Sequence, residues 1–164
     1  MEDNKKKLLV YAHYYHPDVA STGQILKELC EGMLDEFDIT VICTVPSYTG
    51  TVEELYKKEK YYHENINGVK IVRVAVPEFS KENKKSRIKN LVAYSFKAVL
   101  ATLKLQRQDY IFTISQPPIL GGVLGVIGKG LKGGKLIYNI QDFNPEQTMA
   151  VGYSKNKVIL NIAM

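Results

Sequence analysis

Short apolar segments alternate with segments of helical periodicity along this chain, and that alternation restricts its fold more than any other feature. Five segments predict strands because they are short, apolar and β-branched: Lys7–His13, Asp38–Thr44, Val69–Val76, Asp109–Ser115 and Lys135–Ile140. Apolar residues that recur every three or four positions predict three helices, Thr22–Glu36, Lys84–Gln106 and Ile119–Gly130. Strands joined through helices pair in parallel with right-handed crossovers. The pattern therefore predicts a Rossmann-like, doubly wound parallel α/β sheet.

The length and composition predict a single domain over residues 1–164. A chain of 164 residues can bury a substantial core, and 45% hydrophobic with 24% charged residues is typical of a globular domain. The segment Pro46–Gly68, between the second and third predicted strands, is long for a connection in a compact domain. Connections of this length usually have a function or a local structure of their own.

The cysteines indicate the cellular compartment of the protein, and the net charge indicates the class of its binding partner. Cys30 and Cys43 lie inside apolar patterns, which predicts small core residues of a reduced, cytoplasmic protein. Lys and Arg number 22 against 17 Asp and Glu, so the net charge is +5. This excess favours an anionic partner, which leaves a nucleotide, a membrane surface or a nucleic acid. The longest apolar run is too short to cross a bilayer, so a membrane contact would be peripheral, on the inner face of the cell membrane.

Topology predicts where a ligand binds. In an open parallel sheet, ligands bind beyond the carboxyl ends of the strands, where the strand order reverses. Under the hypothesis that the five predicted strands have the order 3-2-1-4-5, the reversal lies between the first and the fourth. The loops His13–Gly23 and Ser115–Pro118 then face each other, with Gln141–Gln147 beside them. This rim would gather polar residues from all three loops: His16, Asp18, Ser21, Thr22, Gly23, Gln116 and Asp142.

Two interpretations of the first helix N-terminus stay open. The free N–H groups at Gly23 could hold a phosphate, with Ser21 and Thr22 as additional donors. Alternatively, Ser21 and Gln24 form a capping box and Gly23 only eases the turn. No Walker loop and no G-x-G-x-x-G follow the first strand, which argues against a dinucleotide dehydrogenase. The later glycines Gly121, Gly125 and Gly128 share a helical face, which favours close packing on the sheet.

His16 and Asp142 are the candidates for chemistry at the rim. His16 could contact a substrate or relay a proton, and Asp142 could bind a sugar hydroxyl or handle a proton. Asp142 could equally stabilise the start of a helix, because Asn144 and Pro145 follow it. His13, His16 and Asp18 lack the spacing of a zinc site, so we expect no metal.

A basic cluster occupies the start of the second predicted helix. It comprises Lys81, Lys84, Lys85, Arg87 and Lys89. The helix dipole disfavours cations there, which favours an external anion such as acidic lipid headgroups over an ordinary solvated face. No RNA-binding signature accompanies the cluster, so we expect no nucleic acid partner. Helical spacing places Phe96, further along the same helix, in the core.

The assembled loops resemble the N-terminal domain of bacterial group 1 (family 4) GT-B glycosyltransferases, in the capsule and exopolysaccharide (colanic-acid-type) branch. The resemblance covers nearly the whole chain and rests on the order of four motifs: Tyr14–Met33, Val45–Gly50, Ser115–Pro118 and Gln141–Gln147. Many relatives have a Gly-Gly pair in the first loop, where this chain has Ser21, Thr22 and Gly23.

The resemblance implies a two-domain enzyme that transfers a hexosyl group from a nucleotide sugar to a saccharide or lipid-linked acceptor, with retention at the anomeric carbon. The N-terminal domain would hold the acceptor, and a C-terminal domain outside this sequence would hold the nucleotide sugar. We expect the fragment alone to be inactive and to need no cofactor. Asp142 and His16 are the candidate catalytic residues, and the candidate substrate-binding residues are Ser21, Thr22, Gly23, Gln116, Gln141 and Glu146.

Two competing classes remain at this point. A stand-alone Rossmann module that binds a nucleotide or phosphate, with a regulatory or interaction role, would have the same alternating pattern. A small-molecule or protein-interaction module without catalysis would respond to no nucleotide sugar.

Overall fold

The computed structural model describes residues 5–80, 82–116 and 119–141, and of Ser21 only the backbone. These residues contain six strands: β1 (Lys6–Tyr11), β2 (Phe37–Thr44), β3 (Tyr61–Ile66), β4 (Val69–Val74), β5 (Tyr110–Ile114) and β6 (Lys135–Asn139). The same residues contain three α-helices, α1 (Ser21–Gly32), α2 (Lys84–Lys104) and α3 (Leu120–Lys132), and a 3₁₀ turn at Glu54–Lys57. The predicted α/β class and all five predicted strands are confirmed.

The strand order of the sheet is β3-β4-β2-β1-β5-β6. Every neighbouring pair is parallel except β3 and β4, which are antiparallel. The predicted order 3-2-1-4-5 is therefore confirmed, with β3 added at one edge. β3 lies inside the long segment Pro46–Gly68 and joins β4 through Asn67 and Gly68, whose φ angles of 50° and 95° suit a two-residue hairpin turn.

Each face of the sheet has its own core, because side chains alternate along a strand. On one face Leu9, Tyr11 and Ile42 pack with Tyr94 of α2 and Leu124 of α3. On the other face, residues of β1 and β2 pack against α1: Leu8, Val10, Val41 and Cys43 with Leu26 and Cys30. The expectation that both cysteines are buried core residues is confirmed.

Helix α1 begins one residue earlier than the capping-box interpretation requires. Ala20 is the N-cap residue, and its carbonyl accepts hydrogen bonds from the N–H groups of Gly23 (2.9 Å) and Gln24 (3.2 Å). Ser21 is the first helical residue, so the predicted capping box of Ser21 and Gln24 is wrong. The helix ends at Gly32, four residues before the predicted end at Glu36, and the chain turns from there into β2.

Helix α2 presents its apolar stripe outward, so the prediction that Phe96 lies in the core is wrong. Phe96 is 65% exposed, and Ile88 and Val92 are each 59% exposed. Facing the sheet are a tyrosine, two alanines and two polar residues: Asn90, Tyr94, Ala98, Ala101 and Thr102. The small residues let α2 approach the sheet closely, and the polar ones find partners there. The Thr102 hydroxyl pairs with the Tyr11 hydroxyl at 2.6 Å, and the Tyr94 hydroxyl donates to the Ile42 carbonyl at 3.2 Å.

The glycines of α3 allow this helix to lie directly on the sheet, as the sequence predicted. A Cβ atom at Gly121 would lie 2.0 Å from the Ile114 carbonyl oxygen, and one at Gly128 would lie 2.6 Å from the Tyr11 hydroxyl. Real Cβ atoms do not approach other atoms this closely, so larger side chains would lift the helix.

Candidate functional site

The candidate site lies at the carboxyl ends of β1 and β5, which are neighbours at the centre of the sheet. The chain leaves β1 toward α1 on one face and leaves β5 toward α3 on the other face. Such a divergence opens a crevice at the switch point of a doubly wound sheet. The structure therefore confirms that the strand order reverses between the first and the fourth predicted strands.

A cavity of about 250 Å³ opens at this switch point, on the side of the sheet that α2 covers. Four segments line it: the end of β1, the loop before α2, the first turns of α2 and the end of β5. The lining residues are His13, Tyr14, Phe79, Arg87, Asn90, Leu91 and Gln116. An apolar cleft with a few convergent polar groups is the usual form of a small-molecule site.

His13 is the most unusual of the lining residues. Its side chain is 3% exposed, and within the described part of the chain neither ring nitrogen has a hydrogen-bond partner of normal geometry. The ring is held edge-on between the rings of Tyr14 and Tyr94, at centroid distances of 4.4 and 4.8 Å. Burial lowers the pKa of His13 to about 4, although the nearby Asn90 side chain acts in the opposite direction. At neutral pH the ring is uncharged and has one unused donor and one unused acceptor.

Asn90 and Arg87 line the cavity from α2. The buried Asn90 side chain donates a hydrogen bond to the Pro77 carbonyl at 2.7 Å, which fixes the segment that leads into α2. Arg87 lies one turn earlier on the same side of the helix. No ion pair to Arg87 is found among the described residues. Its charge acts on Tyr14, whose pKa burial nevertheless raises to about 12.

Aspartate 18 holds the loop after β1 against the loop after β2. Its carboxylate accepts hydrogen bonds from the N–H groups of Ser47 (3.1 Å) and Tyr48 (3.0 Å). Burial raises the pKa of Asp18, and the two backbone donors partly offset that rise. The rings of Tyr14 and Tyr48 meet edge-on at 5.2 Å, so the same contact fixes one wall of the cavity.

The position of Phe79 in the cavity lining depends on a glycine. Gly50 has a φ of 101°, and a Cβ atom there would lie 2.3 Å from the carbonyl oxygen of Phe79. The Phe79 N–H donates to the Gly50 carbonyl at 2.9 Å. Only a glycine tolerates this conformation and this approach, so Gly50 places Phe79 at the cavity.

Three of the predicted site residues meet on this rim. Gln116 lines the cavity together with His13. The Thr22 hydroxyl donates to the Gln141 side-chain oxygen at 3.3 Å, which joins the start of α1 to the segment after β6. The Gln141 N–H in turn donates to the Ser115 hydroxyl at 2.9 Å.

Gly23 packs tightly against the first loop. A Cβ atom there would lie 3.3 Å from the Tyr14 carbonyl oxygen, which is tighter than nearly all real contacts. The Gly23 N–H already donates to Ala20, so it is not a free donor for a phosphate. These contacts account for Gly23 by packing and argue against the phosphate interpretation, although the capping box of the alternative interpretation is not formed either.

His16 lies apart from the cavity. Its side chain is exposed and close enough to α1 for its charge to lower the pKa of Glu31, after the larger effects of Lys27 and Asn67. The Arg73 guanidinium donates to the His16 carbonyl at 2.6 Å and forms an ion pair with Glu64 at 2.8 Å. These contacts attach the loop after β1 to β4 and β3. The predicted role of His16 as a substrate contact or proton relay stays a prediction.

Several predicted residues cannot be placed. Asp142, Glu146 and Lys81 lie outside the described residues, and for Ser21 only the backbone is described. Within residues 5–80, 82–116 and 119–141, no group of three or more His, Cys, Asp or Glu side chains could hold a metal ion.

Sequence reasoning missed His13, Asn90 and Arg87 as one constellation. One signal for His13 was present, because Leu9, Tyr11 and His13 alternate and must therefore share a sheet face. The sequence contained no such signal for Asn90 and Arg87. The apolar stripe of α2 was expected to face the core, but it faces outward, so the side of the helix that carries these two residues was predicted to be exposed. No protein-family model matches this chain, and no curated protein shows significant similarity to it.

Proposed function

We propose that this chain is the acceptor-binding, N-terminal domain of a retaining GT-B glycosyltransferase. The enzyme would move a hexosyl group from a nucleotide sugar to a saccharide or lipid-linked acceptor during surface polysaccharide synthesis. The observation that carries this proposal is the uncharged His13 ring beside Gln116 and Asn90 in the switch-point cavity, since its nitrogens have no hydrogen-bond partner of normal geometry among the described residues. Neutral donors and acceptors of this kind suit the hydroxyl groups of a sugar.

The same features favour an acceptor over a nucleotide in this domain. A diphosphate needs several free N–H groups or a glycine-rich loop at a helix start. Here the Gly23 N–H is already bonded within α1, and its Cα faces the backbone of Tyr14. The nucleotide sugar would therefore be held mainly by a second domain that faces the rim. The acceptor oxygen would bond to the anomeric carbon as the bond from that carbon to the nucleoside diphosphate breaks, and the hydroxyl proton would pass to the leaving diphosphate.

A peripheral position on the inner face of the cell membrane is part of the proposal. No helix within the described residues is both long and apolar enough to span a bilayer. Helix α2 has no acidic residue, and Lys85 and Lys89 lie on the same side as Val92 and Phe96. Cations beside an exposed apolar stripe are typical of helices that lie in the interface of an anionic membrane.

The basic cluster divides between two roles in this arrangement. Lys84, Lys85 and Lys89 are exposed and would meet lipid headgroups, whereas Arg87 lines the cavity. Asn83 caps α2 and so stabilises the helix start that carries these cations. Its side-chain oxygen accepts hydrogen bonds from the N–H groups of Lys85 and Ser86 at 3.0 and 3.3 Å.

The test is a transfer assay with the protein encoded by the complete reading frame. Labelled nucleotide sugars would be incubated with membrane lipid extract and with soluble saccharides, and labelled product counted. We expect transfer by the wild type and a loss of about tenfold or more for Gln116→Ala, because one hydrogen bond to the acceptor is removed. Gln24→Ala, on α1 outside the cavity, is the matched control. Absence of transfer from every nucleotide sugar would contradict the proposal.

A further inference from the structure

The basic cluster contains a single arginine, Arg87, and this residue lines the switch-point cavity. It reaches the cavity from the first turns of α2, whereas the neighbouring Lys84 and Lys85 are exposed and are not among the described lining residues. A guanidinium forms two parallel hydrogen bonds to a carboxylate or phosphate, and an ammonium group does not. An arginine at the one position of this helix start that meets the cavity therefore points to an anionic ligand group.

The charge of Arg87 is available at the mouth of the cavity. Its side chain is exposed, and within the described residues no carboxylate forms an ion pair with it. The charges of Arg87 and Asp18 both act on the pKa of Tyr14, so an acidic group also lies near this wall. The Asp18 carboxylate, however, already accepts the N–H groups of Ser47 and Tyr48. An anion that enters the cavity would therefore meet a cation without a carboxylate partner.

The buried end of the cavity is polar but uncharged. The His13 ring is neutral, and within the described part of the chain its nitrogens have no hydrogen-bond partner of normal geometry. Gln116 adds a side-chain amide, which can donate and accept hydrogen bonds. Hydroxyl groups also donate and accept, so they suit this end of the cavity, whereas a second full charge would find no counter-charge there.

Much of the remaining wall is apolar: it consists of Tyr14, Phe79 and Leu91. The C–H faces of a sugar ring would lose water against such a wall, which favours binding. The volume of about 250 Å³ is below the range of about 300–1,000 Å³ that is usual for drug-sized ligands, so it suits a single ring. Asn90 and Arg87 are three residues apart on α2, which separates the buried polar end from the charge by about 4.5 Å along the helix.

We propose that the cavity selects an acidic sugar ring, whose hydroxyl groups bond to His13 and Gln116 and whose anionic substituent, a carboxylate or a phosphate, binds Arg87 at the mouth. Arg87 is then the residue that determines specificity. The inference rests on the proposed acceptor role of the cavity and narrows the acceptor to saccharides whose terminal ring is acidic. A neutral sugar would leave Arg87 without a counter-charge, and a simple anion would leave the His13 ring without a partner.

The test measures the binding of simple glycosides to the chain of residues 1–164 by ¹H–¹⁵N NMR titration. The probes are methyl glucoside, methyl glucuronide and methyl glucoside 6-phosphate, the same three compounds of the galacto series, acetate and inorganic phosphate. In at least one series we expect an acidic glycoside to bind at least about fivefold more tightly than the neutral one, because it gains a charge-assisted contact. Comparison of the uronide with the 6-phosphate distinguishes a carboxylate from a phosphate as the bound group.

Three variants separate the charge contact from the ring contact. Arg87→Gln should remove the preference for the acidic glycoside and change the affinity for the neutral one by less than about twofold, whereas Lys84→Gln, the same charge loss outside the cavity, should preserve the preference. His13→Phe keeps an aromatic ring without nitrogens, so it should weaken neutral and acidic glycosides by the same factor, about fivefold. Unchanged dispersion of the NMR spectrum verifies that each variant is folded, and the Arg87 and Lys84 pair decides the question if His13→Phe does not fold.

Four results would overturn the inference. These are no binding of any glycoside, equal affinity for neutral and acidic glycosides in both series, equal effects of Arg87→Gln and Lys84→Gln, and binding of acetate or inorganic phosphate as tight as that of the best acidic glycoside. The proposed function is decided separately, by the transfer assay on the complete protein, because a neutral acceptor would satisfy it. Conversely, a preference for acidic glycosides without any sugar transfer by the complete protein would contradict the proposed function alone.

Discussion

The ring of His13 lies edge-on against the ring of Tyr94, with centroids 4.8 Å apart and an interplanar angle of 86°. Tyr94 is itself fixed, because its hydroxyl donates to the Ile42 carbonyl in the centre of the sheet. The imidazole is packed between the rings of Tyr14 and Tyr94, and His13 is only 3% exposed. It is held uncharged at the carboxyl end of β1, where the candidate site begins.

The first prediction concerns the pH dependence of stability. The pKa of His13 is about 4 in the folded protein and 6.5 when exposed, so the unfolded chain binds more protons between these values. The stability that the uncharged His13 ring contributes is fully present above pH 6.5 and is lost as the pH falls toward 4. The loss should reach about 2 kcal/mol by pH 5. Urea unfolding at pH 7.5 and at pH 5 measures it.

Two variants isolate the contribution of His13. His13→Asn should have a smaller free energy of unfolding at pH 7.5 and a weaker dependence on pH than the wild type. His63→Asn, which changes an exposed histidine of β3, should keep the wild-type dependence. Parallel pH profiles for wild type and His13→Asn would show that the ring is not buried and uncharged as described.

The second prediction concerns the ion pair beneath the first loop. Arg73 is 1% exposed and donates to Glu64 at 2.8 Å. Glu64→Gln leaves that buried charge without its carboxylate, which should reduce the free energy of unfolding by about 2–3 kcal/mol. Glu59→Gln, at an exposed position before β3, should change it by less than about 0.5 kcal/mol. Urea denaturation compares the two, and equal stabilities would refute a structural role for the pair.

The third prediction concerns the contact of α3 with the sheet. Gly121→Ala would place a Cβ atom against the Ile114 carbonyl, so it should destabilise the fold by about 2 kcal/mol or more. Gly130→Ala lies in the same helix with no atom within 4 Å of the added carbon. It should stabilise the protein by up to about 0.8 kcal/mol, because alanine favours the helix. Thermal unfolding followed by circular dichroism measures both, and the opposite signs are the essential result.

Local patterns were enough to predict the sheet but not the orientation of α2. The strands β1, β2 and β5 are buried on both faces, so continuous apolar runs identify them and their order follows from parallel crossovers. The same reasoning fails for helix α2, because this helix has more apolar side chains than can pack against the sheet. On the sheet face under α2, the Tyr11 hydroxyl bonds to Thr102 and the Ile42 carbonyl accepts from Tyr94. These hydrogen bonds favour Thr102 and Tyr94 over larger apolar residues.

The candidate site was predictable in position and only partly in membership. Topology alone put Gln116 and the loop after β1 at the switch point. Arg87 belongs to the site because α2 crosses above the end of β1, and no local pattern encodes that crossing. The strand β3 was missed for a related reason. Tyr61–Ile66 has three polar residues in a row, at positions 63 to 65, so no strand pattern identifies it, and it gains its strand geometry from the ladder with β4.

The fourth prediction concerns the outward face of α2. In flotation with vesicles of phosphatidylglycerol and phosphatidylcholine, the wild type should bind and float with the anionic vesicles at low salt. Combined Lys85→Glu and Lys89→Glu should reduce bound protein about tenfold or more, because each cation near an anionic surface contributes about 1 kcal/mol. Val92→Asp should reduce it further by removing apolar burial.

Matched charge reversals at Lys6 and Lys135, the exposed first residues of β1 and of the edge strand β6, distinguish a docking face from net charge. They change the net charge of +5 by the same amount as the α2 pair. If the cations act only through long-range attraction, both pairs should weaken binding equally and salt should abolish it. If α2 lies in the interface, the control pair should bind nearly as wild type and Val92→Asp should lower binding even at high salt. Equal losses from the two pairs would therefore rule out α2 as the membrane-facing surface.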